Sequence, residues 1–119
     1  MRTKILELIE KALEKLEIDP RDGSIVIYVG IVKKSKNGKT VKSLEVNIAN
    51  REELERIINE KSIVIVREGE LTPGEPIMIV ACVGETRQEA FSRTMALVDK
   101  VKSILRKVER YENSQSSQA

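Results

Sequence analysis

The chain has 119 residues, enough for one domain with its own hydrophobic core and without metal or disulfide support. Its 21 Lys and Arg nearly balance 19 Asp and Glu, which argues against a non-specific nucleic-acid binder because such proteins carry a strong basic excess. The absence of histidine excludes Ser-His-Asp catalysis, Cys-His catalysis and His-ligated zinc within this chain, and we predict no metal and no cofactor.

The first predicted elements are an amphipathic helix and a buried strand. Apolar residues recur at helical spacing over residues 3–17, and the helix is expected to stop before Asp19-Pro20. Residues 24–34 are rich in β-branched side chains and nearly continuous in their apolar character, which predicts a well-buried strand. Gly30 interrupts this run, so we expect a β-bulge there or a close approach by another backbone or a ligand.

A hairpin and a short helix are predicted next. Asn37-Gly38 separates the first strand from the alternating run 41–48, and this dipeptide is a strong signal for a two-residue hairpin turn. Asn50 followed by Glu53 resembles an N-cap with its capping-box partner, which predicts a helix that continues to about residue 60.

The second half begins with two predicted strands, over residues 62–67 and 76–83. The turn between them contains Thr72-Pro73-Gly74, in which proline presets φ at the second turn position and glycine accepts the positive φ of the third. Thr86 and Glu89 then form a T-x-x-E capping box, which predicts the start of the last helix.

The last helix is predicted to be long. Its apolar stripe steps by three or four residues and consists of Phe91, Met95, Val98, Val101, Leu105 and Val108. This stripe predicts about 25 helical residues, and because no proline interrupts it, the helix is expected to run straight through residues 105–110. The polar residues 113–119 are predicted to form a disordered tail.

These elements occur in the order α-β-β-α-β-β-α within a single predicted domain, residues 1–112. The two hairpin-like connections favour an α+β fold, with helices packed on a mixed or antiparallel sheet, over a doubly wound parallel sheet.

The lone cysteine and the hydropathy pattern bear on localisation. Cys82 has no partner within the chain and lies in the middle of a predicted strand, so we interpret it as a packing residue in a reducing compartment. No apolar run approaches the roughly 20 residues of a membrane span, and no signal-peptide pattern opens the chain. We therefore expect a cytoplasmic protein without membrane contact, and its dense mixture of Lys and Glu is typical of thermophilic proteins.

Three basic features are candidates for chemistry. At the start of the last helix, Gly84 permits a close backbone approach and Arg87 adds a guanidinium suited to a phosphate or carboxylate; a capped helix with a solvent-facing arginine gives the same pattern. Lys33 lies at the end of the first predicted strand, just after Gly30, where basic residues also serve as edge protection. Lys102 flanks the apolar stripe, where a lysine acts either as a snorkelling side chain or as a base or nucleophile.

Several spaced motifs agree in order with the motifs of one known family. Residues 69–91 read GELTPGEPIMIVACVGETRQEAF, similar to that family's glycine, G-E, apolar strand and R-x-E-A-F helix start. Residues 22–33 read DGSIVIYVGIVK, similar to its D-G-A-x-x-x-F-V-G-x-V-R strand. Over roughly residues 19–110 the chain thus resembles the large, catalytic subunit of molybdopterin synthase (the MoaE-like proteins), and the resemblance is specific because the motifs agree in order.

The resemblance implies an α/β hammerhead fold and a homodimer. Each protomer would also bind a small ubiquitin-like sulfur-carrier subunit, giving a heterotetramer in which the carrier's C-terminal Gly-Gly thiocarboxylate enters a pocket of the large subunit. The implied activity is that of a sulfurtransferase in molybdenum cofactor biosynthesis. Its substrate would be a phosphorylated pterin, cyclic pyranopterin monophosphate, which receives the sulfur and becomes the dithiolene of molybdopterin.

The resemblance also assigns site residues, at positions that match the family's motifs. Lys102, in V-K-S, matches the catalytic lysine of the family's L-K-T segment and is expected to accept protons or to hold the thiocarboxylate. Arg87 matches the arginine at the helix start and is assigned to phosphate binding. Tyr28 stands where the family has a phenylalanine in the pocket wall.

Three positions depart from the family pattern. Lys33 replaces an arginine and loses its bidentate fork, and Thr86 replaces a histidine; both remain predicted substrate-binding residues. The family's A-P-x-W-K segment is missing, and Glu109 occupies the position of its second lysine. Lys107 and Arg110 are the neighbouring cations that could take the place of that lysine.

Helix geometry constrains how Arg87 and Lys102 act. Fifteen residues separate them, about 22 Å along an unbroken helix, so one small ligand cannot contact both within one chain. We therefore predict that Arg87 of one protomer faces Lys33 and Lys102 of another across a dimer.

Two other functions are alternatives to a catalytic subunit. One is a non-catalytic paralogue that acts as a dimeric carrier-protein- or anion-binding module, which the missing lysine favours. The other is a purely structural dimer module.

Overall fold

Three helices and seven strands make up residues 2–112, the part of the chain that the computed structural model describes. In chain order they are α1 (Arg2–Lys15), β1 (Ser24–Ile31), β2 (Ser35–Lys36), β3 (Lys39–Ile48), α2 (Arg51–Ile57), β4 (Ser62–Val66), β5 (Gly69–Leu71), β6 (Pro76–Gly84), α3 (Arg87–Ile104) and β7 (Leu105–Tyr111). No helix among these residues is long and apolar enough to cross a membrane. The tail predicted over residues 113–119 lies outside the described residues.

The strands form two antiparallel sheets. In the three-stranded sheet, β6 lies between β1 and β4. In the second sheet β3 is central: β2 and β5 pair with it, and β7 pairs with it along almost its whole length. The predicted α+β class with an antiparallel sheet is therefore confirmed. The partner of β1, however, is β6 and not the strand that follows Asn37-Gly38; that turn joins the two-residue β2 to β3.

Strand β6 is buried on both faces, as its unbroken apolar sequence predicts. One face belongs to the cluster of Val64, Met78, Val80, Cys82, Leu97, Val98 and Val101, which joins the sheet to α3. The other face packs through Ala81 and Val83 against Leu16, just beyond α1. The thiol of Cys82 lies inside the first cluster, and burial raises its pKa, so the residue is a packing residue as predicted.

Helix caps form where the sequence predicts them. The side chain of Asn50 accepts a hydrogen bond from the Glu53 N–H at 3.0 Å, and the hydroxyl of Thr86 accepts one from the Glu89 N–H at 3.1 Å. The Glu89 carboxylate in turn accepts from the Glu85 N–H at 2.9 Å, one residue before the N-cap. Both caps satisfy amide donors that a helix start leaves without intrahelical partners.

The predicted turn glycines also have the expected geometry. Asn37 and Gly38 have φ of 54° and 76°, as a two-residue hairpin turn of the I′ type requires, and Gly74 has φ of 94°. The β1–β6 register shifts between Gly30 and Ile31, which confirms the predicted irregularity at that glycine.

The last helix is shorter than predicted, and the expectation that it runs through residues 105–110 is wrong. Helix α3 ends at Ile104, and the chain enters β7 without a turn because Leu105 already has extended backbone angles. The Ala49 N–H donates to the Ile104 carbonyl at 2.8 Å, so a residue just after β3 satisfies a carbonyl at the helix end. Pairing with β3 therefore overrides the helical periodicity, and the observed order is α-β-β-β-α-β-β-β-α-β.

The buried face of α3 also differs from the predicted stripe. Phe91 and Met95 are 54% and 68% exposed. The buried residues of the helix are Ala90, Thr94, Leu97, Val98, Val101 and Ile104. The small side chains of Ala90 and Thr94 bring the first turns of α3 close to β6, and larger residues fill the core only further along.

Gly84 permits this close approach. An ideal Cβ at Gly84 would lie 2.7 Å from the Ala90 nitrogen and 2.9 Å from the Glu89 Cβ, both closer than real contacts allow. The close approach that the sequence predicts at this glycine is thus made by the protein's own helix.

We predict that Gly84→Ala lowers the free energy of unfolding by about 1–3 kcal/mol, because the added methyl group must displace the backbone of α3. Ser92→Ala, on an exposed position of the same helix, is the matched control and should change stability by less than about 0.5 kcal/mol. Urea denaturation followed by circular dichroism measures both, and equal stabilities of the two variants would contradict this packing role.

Candidate active site

A cavity of about 260 Å³ lies between β1, β3 and β7 beside the end of α3. Its apolar lining includes Ile31, Val32, Val41, Leu44, Ile77, Met78 and Leu105. Its polar side chains are Tyr28, Lys33, Lys36, Lys102, Lys107 and Glu109. With four lysines and one glutamate, the lining has a formal charge of +3, which suits anionic ligands.

The strand β1 supplies the wall beside Lys102. Tyr28 is half-buried there, and the Lys102 Nζ lies 6.0 Å from the centroid of its ring, at the outer limit of a cation–π contact. A Cβ at Gly30 would lie 3.4 Å from the Tyr28 ring and 3.5 Å from Met78, so glycine leaves this side of the cavity open. The predicted residues Tyr28, Lys33 and Lys102 thus line one cavity.

Strand β7 carries Lys107 and Arg110, the two cations that the sequence offers in place of the missing lysine. Successive residues of a strand face opposite sides of the sheet, so Lys107 and Glu109, two residues apart, share one face, and both line the cavity. Arg110 does not line it; its guanidinium lies 3.2 Å from a carboxylate oxygen of Glu45 and 3.6 Å from one of Glu70. Of the two cations, Lys107 therefore lines the cavity together with Lys102, and Arg110 does not.

The lysines of the cavity differ in their electrostatic surroundings. Burial of the ammonium group lowers the pKa of Lys107, and the positive charges of Lys102 and Lys36 lower it further, against a smaller opposing effect of Glu109. Lys36 has the opposite environment: its Nζ donates to a Glu109 carboxylate oxygen at 2.6 Å, and this hydrogen bond raises its pKa. The surroundings of Lys107 thus favour its neutral, proton-accepting form relative to an ordinary lysine.

Thr86 and Arg87 lie at the other end of α3 and do not line this cavity. The hydroxyl of Thr86 serves as the helix N-cap. Arg87 is exposed and has no ion pair within residues 2–112. Helix α3 is continuous from Arg87 to Ile104, so the separation of about 22 Å expected for Arg87 and Lys102 applies.

Two lining residues have a place in the cavity that the sequence did not predict. Lys36 lies in the lysine-rich segment 33–42, where nothing distinguishes it from its four neighbouring lysines. For Glu109 the sequence indicates only that it occupies the position of a lysine in the family pattern. The hairpin turn at Asn37-Gly38 is the sequence signal that places Lys36 beside β3. The contact of Lys36 with Glu109 also requires β7, and the helical periodicity of this segment predicts a helix there instead of a strand.

A larger groove, of about 600 Å³, lies between α2 and α3. Its α3 residues are Arg93, Ala96, Leu97 and Lys100, and none of the predicted site residues lines it. One of its other cations, Lys61, is held by Asp19 and Asp22 at 2.8 Å each. The smaller cavity therefore remains the candidate site. Within residues 2–112, no group of three or more Cys, Asp or Glu side chains is placed to hold a metal ion.

The sequence matches the family described as MoaE protein over residues 3–104. The chain belongs to the MoaE family. No curated protein matches it.

Solved structures with the same fold include molybdopterin synthase from Staphylococcus aureus, 23% identical with a TM-score of 0.69, over 82% of this chain and 80% of that one. Molybdopterin cofactor biosynthesis protein E from Burkholderia multivorans ATCC 17616 is 22% identical with a TM-score of 0.61, over 93% and 79%. A complex of subunits 1 and 2 of molybdopterin-converting factor from Helicobacter pylori 26695 is 17% identical with a TM-score of 0.59, over 95% and 80%. These likenesses extend over most of the MoaE fold.

We predict that Lys102→Met raises the pKa of Lys107, because it removes a like charge that disfavours the ammonium form. Titration of the isotope-labelled lysine side chains by NMR in the free protein measures this pKa. Lys100→Met, whose side chain lines the groove on another face of α3, is the matched control. An unchanged Lys107 titration in Lys102→Met, or an equal shift in the control, would contradict the coupling of the two amines.

Proposed function

We propose that this chain is the large, catalytic subunit of a molybdopterin synthase, which transfers sulfur from a thiocarboxylated carrier protein to cyclic pyranopterin monophosphate. Membership of the MoaE family supports a role in molybdenum cofactor biosynthesis. The observation that carries the finer proposal is that Lys102 and Lys107 line one cavity together with Tyr28 and Lys33. The missing second lysine was the main feature in favour of a non-catalytic paralogue, and Lys107 supplies an amine on the same face of β7.

The charge of the cavity fits the two reactants. A thiocarboxylate and a cyclic phosphate are both anions, and ammonium groups bind such oxygens and sulfurs by charge-assisted hydrogen bonds. In this proposal the Lys102 ammonium holds the thiocarboxylate beside Tyr28, and Lys33 takes a phosphate oxygen. The apolar floor, with Val41, Leu44 and Met78, excludes water and strengthens these contacts.

Each sulfur transfer requires proton transfer as well as anion binding. In each transfer the carbon–sulfur bond of the carrier breaks, and water supplies the oxygen of the carboxylate that remains on the carrier. A carbon–sulfur bond to the pterin forms as a carbon–oxygen bond of the pterin breaks, and the displaced oxygen either stays on the phosphate as the cyclic ester opens or leaves as water. A dithiolene holds two sulfurs, so two carriers are consumed. The lowered pKa of Lys107 makes its amine the group best suited to accept the protons released from water.

The cavity within one protomer is small for a substrate site, so we propose that a second protomer completes it. Its volume of about 260 Å³ is below the range of about 300–1,000 Å³ that is usual for small-molecule sites. Arg87 is exposed at the far end of α3, with its guanidinium available to a neighbouring chain. We propose a homodimer in which Arg87 of one protomer binds the substrate phosphate beside Lys33 and Lys102 of the other.

The proposed partner is a small carrier subunit whose extended C-terminus enters the cavity. The fold shared with the two-subunit molybdopterin-converting factor complex supports a partner of this kind. With one carrier on each protomer, the assembly would be a heterotetramer.

Reconstitution with the thiocarboxylated carrier and the pterin precursor tests the activity. We predict dithiolene product with the wild type and a loss of at least about 100-fold in kcat for Lys102→Ala and for Lys107→Ala, because each removes a group that acts in proton transfer or on the reacting anion. Lys100→Ala is the control and should retain full activity. Carrier binding by the wild type without any product would support the binding-module alternative, and full activity of Lys102→Ala would refute this site assignment.

Mixed dimers test whether two protomers share one site. In a dimer of one Arg87→Ala chain and one Lys102→Ala chain, a shared arrangement leaves one site with both wild-type residues and one site with neither. Random mixing of the two inactive variants should therefore restore about a quarter of wild-type activity per chain, since about half of the dimers are mixed. No recovery in a mixture shown by mass spectrometry to contain mixed dimers would exclude the shared site.

A further inference from the structure

The cavity contains an ion pair that the proposed chemistry does not use. Lys36 and Glu109 come from β2 and β7, on either side of β3, and both line the cavity. Their side chains meet at 2.6 Å between Nζ and Oε2. The Glu109 side chain is 24% exposed and that of Lys36 is 51% exposed, so the contact lies at the mouth of the cavity and not in its floor.

The hairpin that carries Lys36 has few other attachments. Its incoming strand β2 is two residues long, and every residue from Lys33 to Thr40 is exposed. The Val41 N–H donates to the Lys34 carbonyl at 2.7 Å within the hairpin. Beyond Glu109, the Glu112 N–H donates to the Thr40 carbonyl at 2.9 Å, and the Lys39 Nζ lies 5.4 Å from the centroid of the Tyr111 ring. The end of β7 is therefore where the hairpin is fastened.

Without a counter-charge, the lysines of the hairpin and the lysines of the cavity would repel one another. Residues 33–42 contain five lysines and no acidic residue, and Lys102 and Lys107 already lie in the cavity. Glu109 is the acidic side chain of the cavity lining, and it forms its ion pair with Lys36. It thereby neutralises one hairpin lysine that lines the same cavity as the two amines.

We propose that Glu109 is a positioning residue of this site: by binding Lys36 it holds the β2–β3 hairpin against β7 and leaves Lys107 as the free amine beside Lys102. This inference rests on the proposed use of Lys107 as the proton acceptor. It also accounts for the departure from the family pattern. Two residues along a strand return to the same face, so the amine moves from position 109 to Lys107 while Glu109 takes over the fastening of the hairpin.

The charges around Lys107 give this role a signature that a merely structural contact would lack. The groups that face Lys107 across the cavity are Lys102 from α3, Lys36 from β2, Glu109 from its own strand, and Tyr28 and Lys33 on and after β1. Glu109→Gln removes a negative neighbour and leaves Lys36 uncompensated, so the pKa of Lys107 should fall. Lys36→Met removes a positive neighbour and leaves Glu109 uncompensated, so the pKa should rise.

The experiment compares Glu109→Gln, Lys36→Met, the charge-swapped double variant Lys36→Glu/Glu109→Lys, and the control Lys42→Met. Lys42 is an exposed lysine on β3 that does not line the cavity. NMR titration of Lys107 in the free protein should show opposite shifts in the two single variants and no shift in the control. Amide hydrogen exchange at Val41 should be about two- to fivefold faster in both single variants, the effect of losing one partly exposed ion pair, and should return to the wild-type rate in the charge-swapped variant.

Opposite shifts together with restored protection support the proposal. Shifts of the same sign, no shifts, or a charge-swapped variant as mobile as the single variants would overturn it. Both readouts use the free protein, so they decide the role of Glu109 even if reconstitution shows no sulfur transfer. In an active system, the acid limb of the pH–kcat profile should move down in Glu109→Gln and up in Lys36→Met; an unmoved profile with active wild type would overturn the role of Glu109 and leave the proposed function intact.

Discussion

The pairing of β7 with β3 is the constraint on which the site depends. It ends α3 at Ile104 and turns the following residues into a strand, which places Lys102 on a helix and Lys107 on a sheet within one cavity. If the helix continued through this segment, Lys107 would lie about 7.5 Å beyond Lys102 along the helix axis. The cavity wall that β7 forms would then be missing, and Lys107 and Arg110 would no longer point to opposite sides of a sheet. The ladder also supplies the edge against which the β2–β3 hairpin is fastened.

Local signals predicted most of the fold, and long-range pairing accounts for what they missed. The caps at Asn50 and Thr86 and the turn glycines act within a few residues, so the sequence alone specifies them. The end of α3 has no proline or glycine to mark it, and Leu105 and Val108 fit the helical period as well as any earlier residues. Only the partner strand distinguishes helix from strand there, and the paired residues lie between 57 and 70 positions apart in sequence.

The sequence predicted those residues of the candidate site that can be recognised one position at a time. Tyr28, Lys33 and Lys102 followed from motif positions, and they line one cavity. The choice between Lys107 and Arg110 depended on backbone geometry, because in a helix both could approach the same face whereas in a strand they point to opposite sides. The Lys36–Glu109 pair lay beyond prediction, since it joins two segments that meet only after both flank β3.

The two ends of α3 pack against different neighbours. At the N-terminal end, Gly84 brings the sheet backbone against Ala90, which fixes the helix axis and leaves Arg87 pointing away from the core. At the C-terminal end, the direct passage into β7 fixes the rotation of the helix about that axis and so the direction of Lys102. A rigid helix held at both ends cannot bend to bring Arg87 to the cavity. If both cations act on one substrate, association with a second chain is a structural requirement of the reaction.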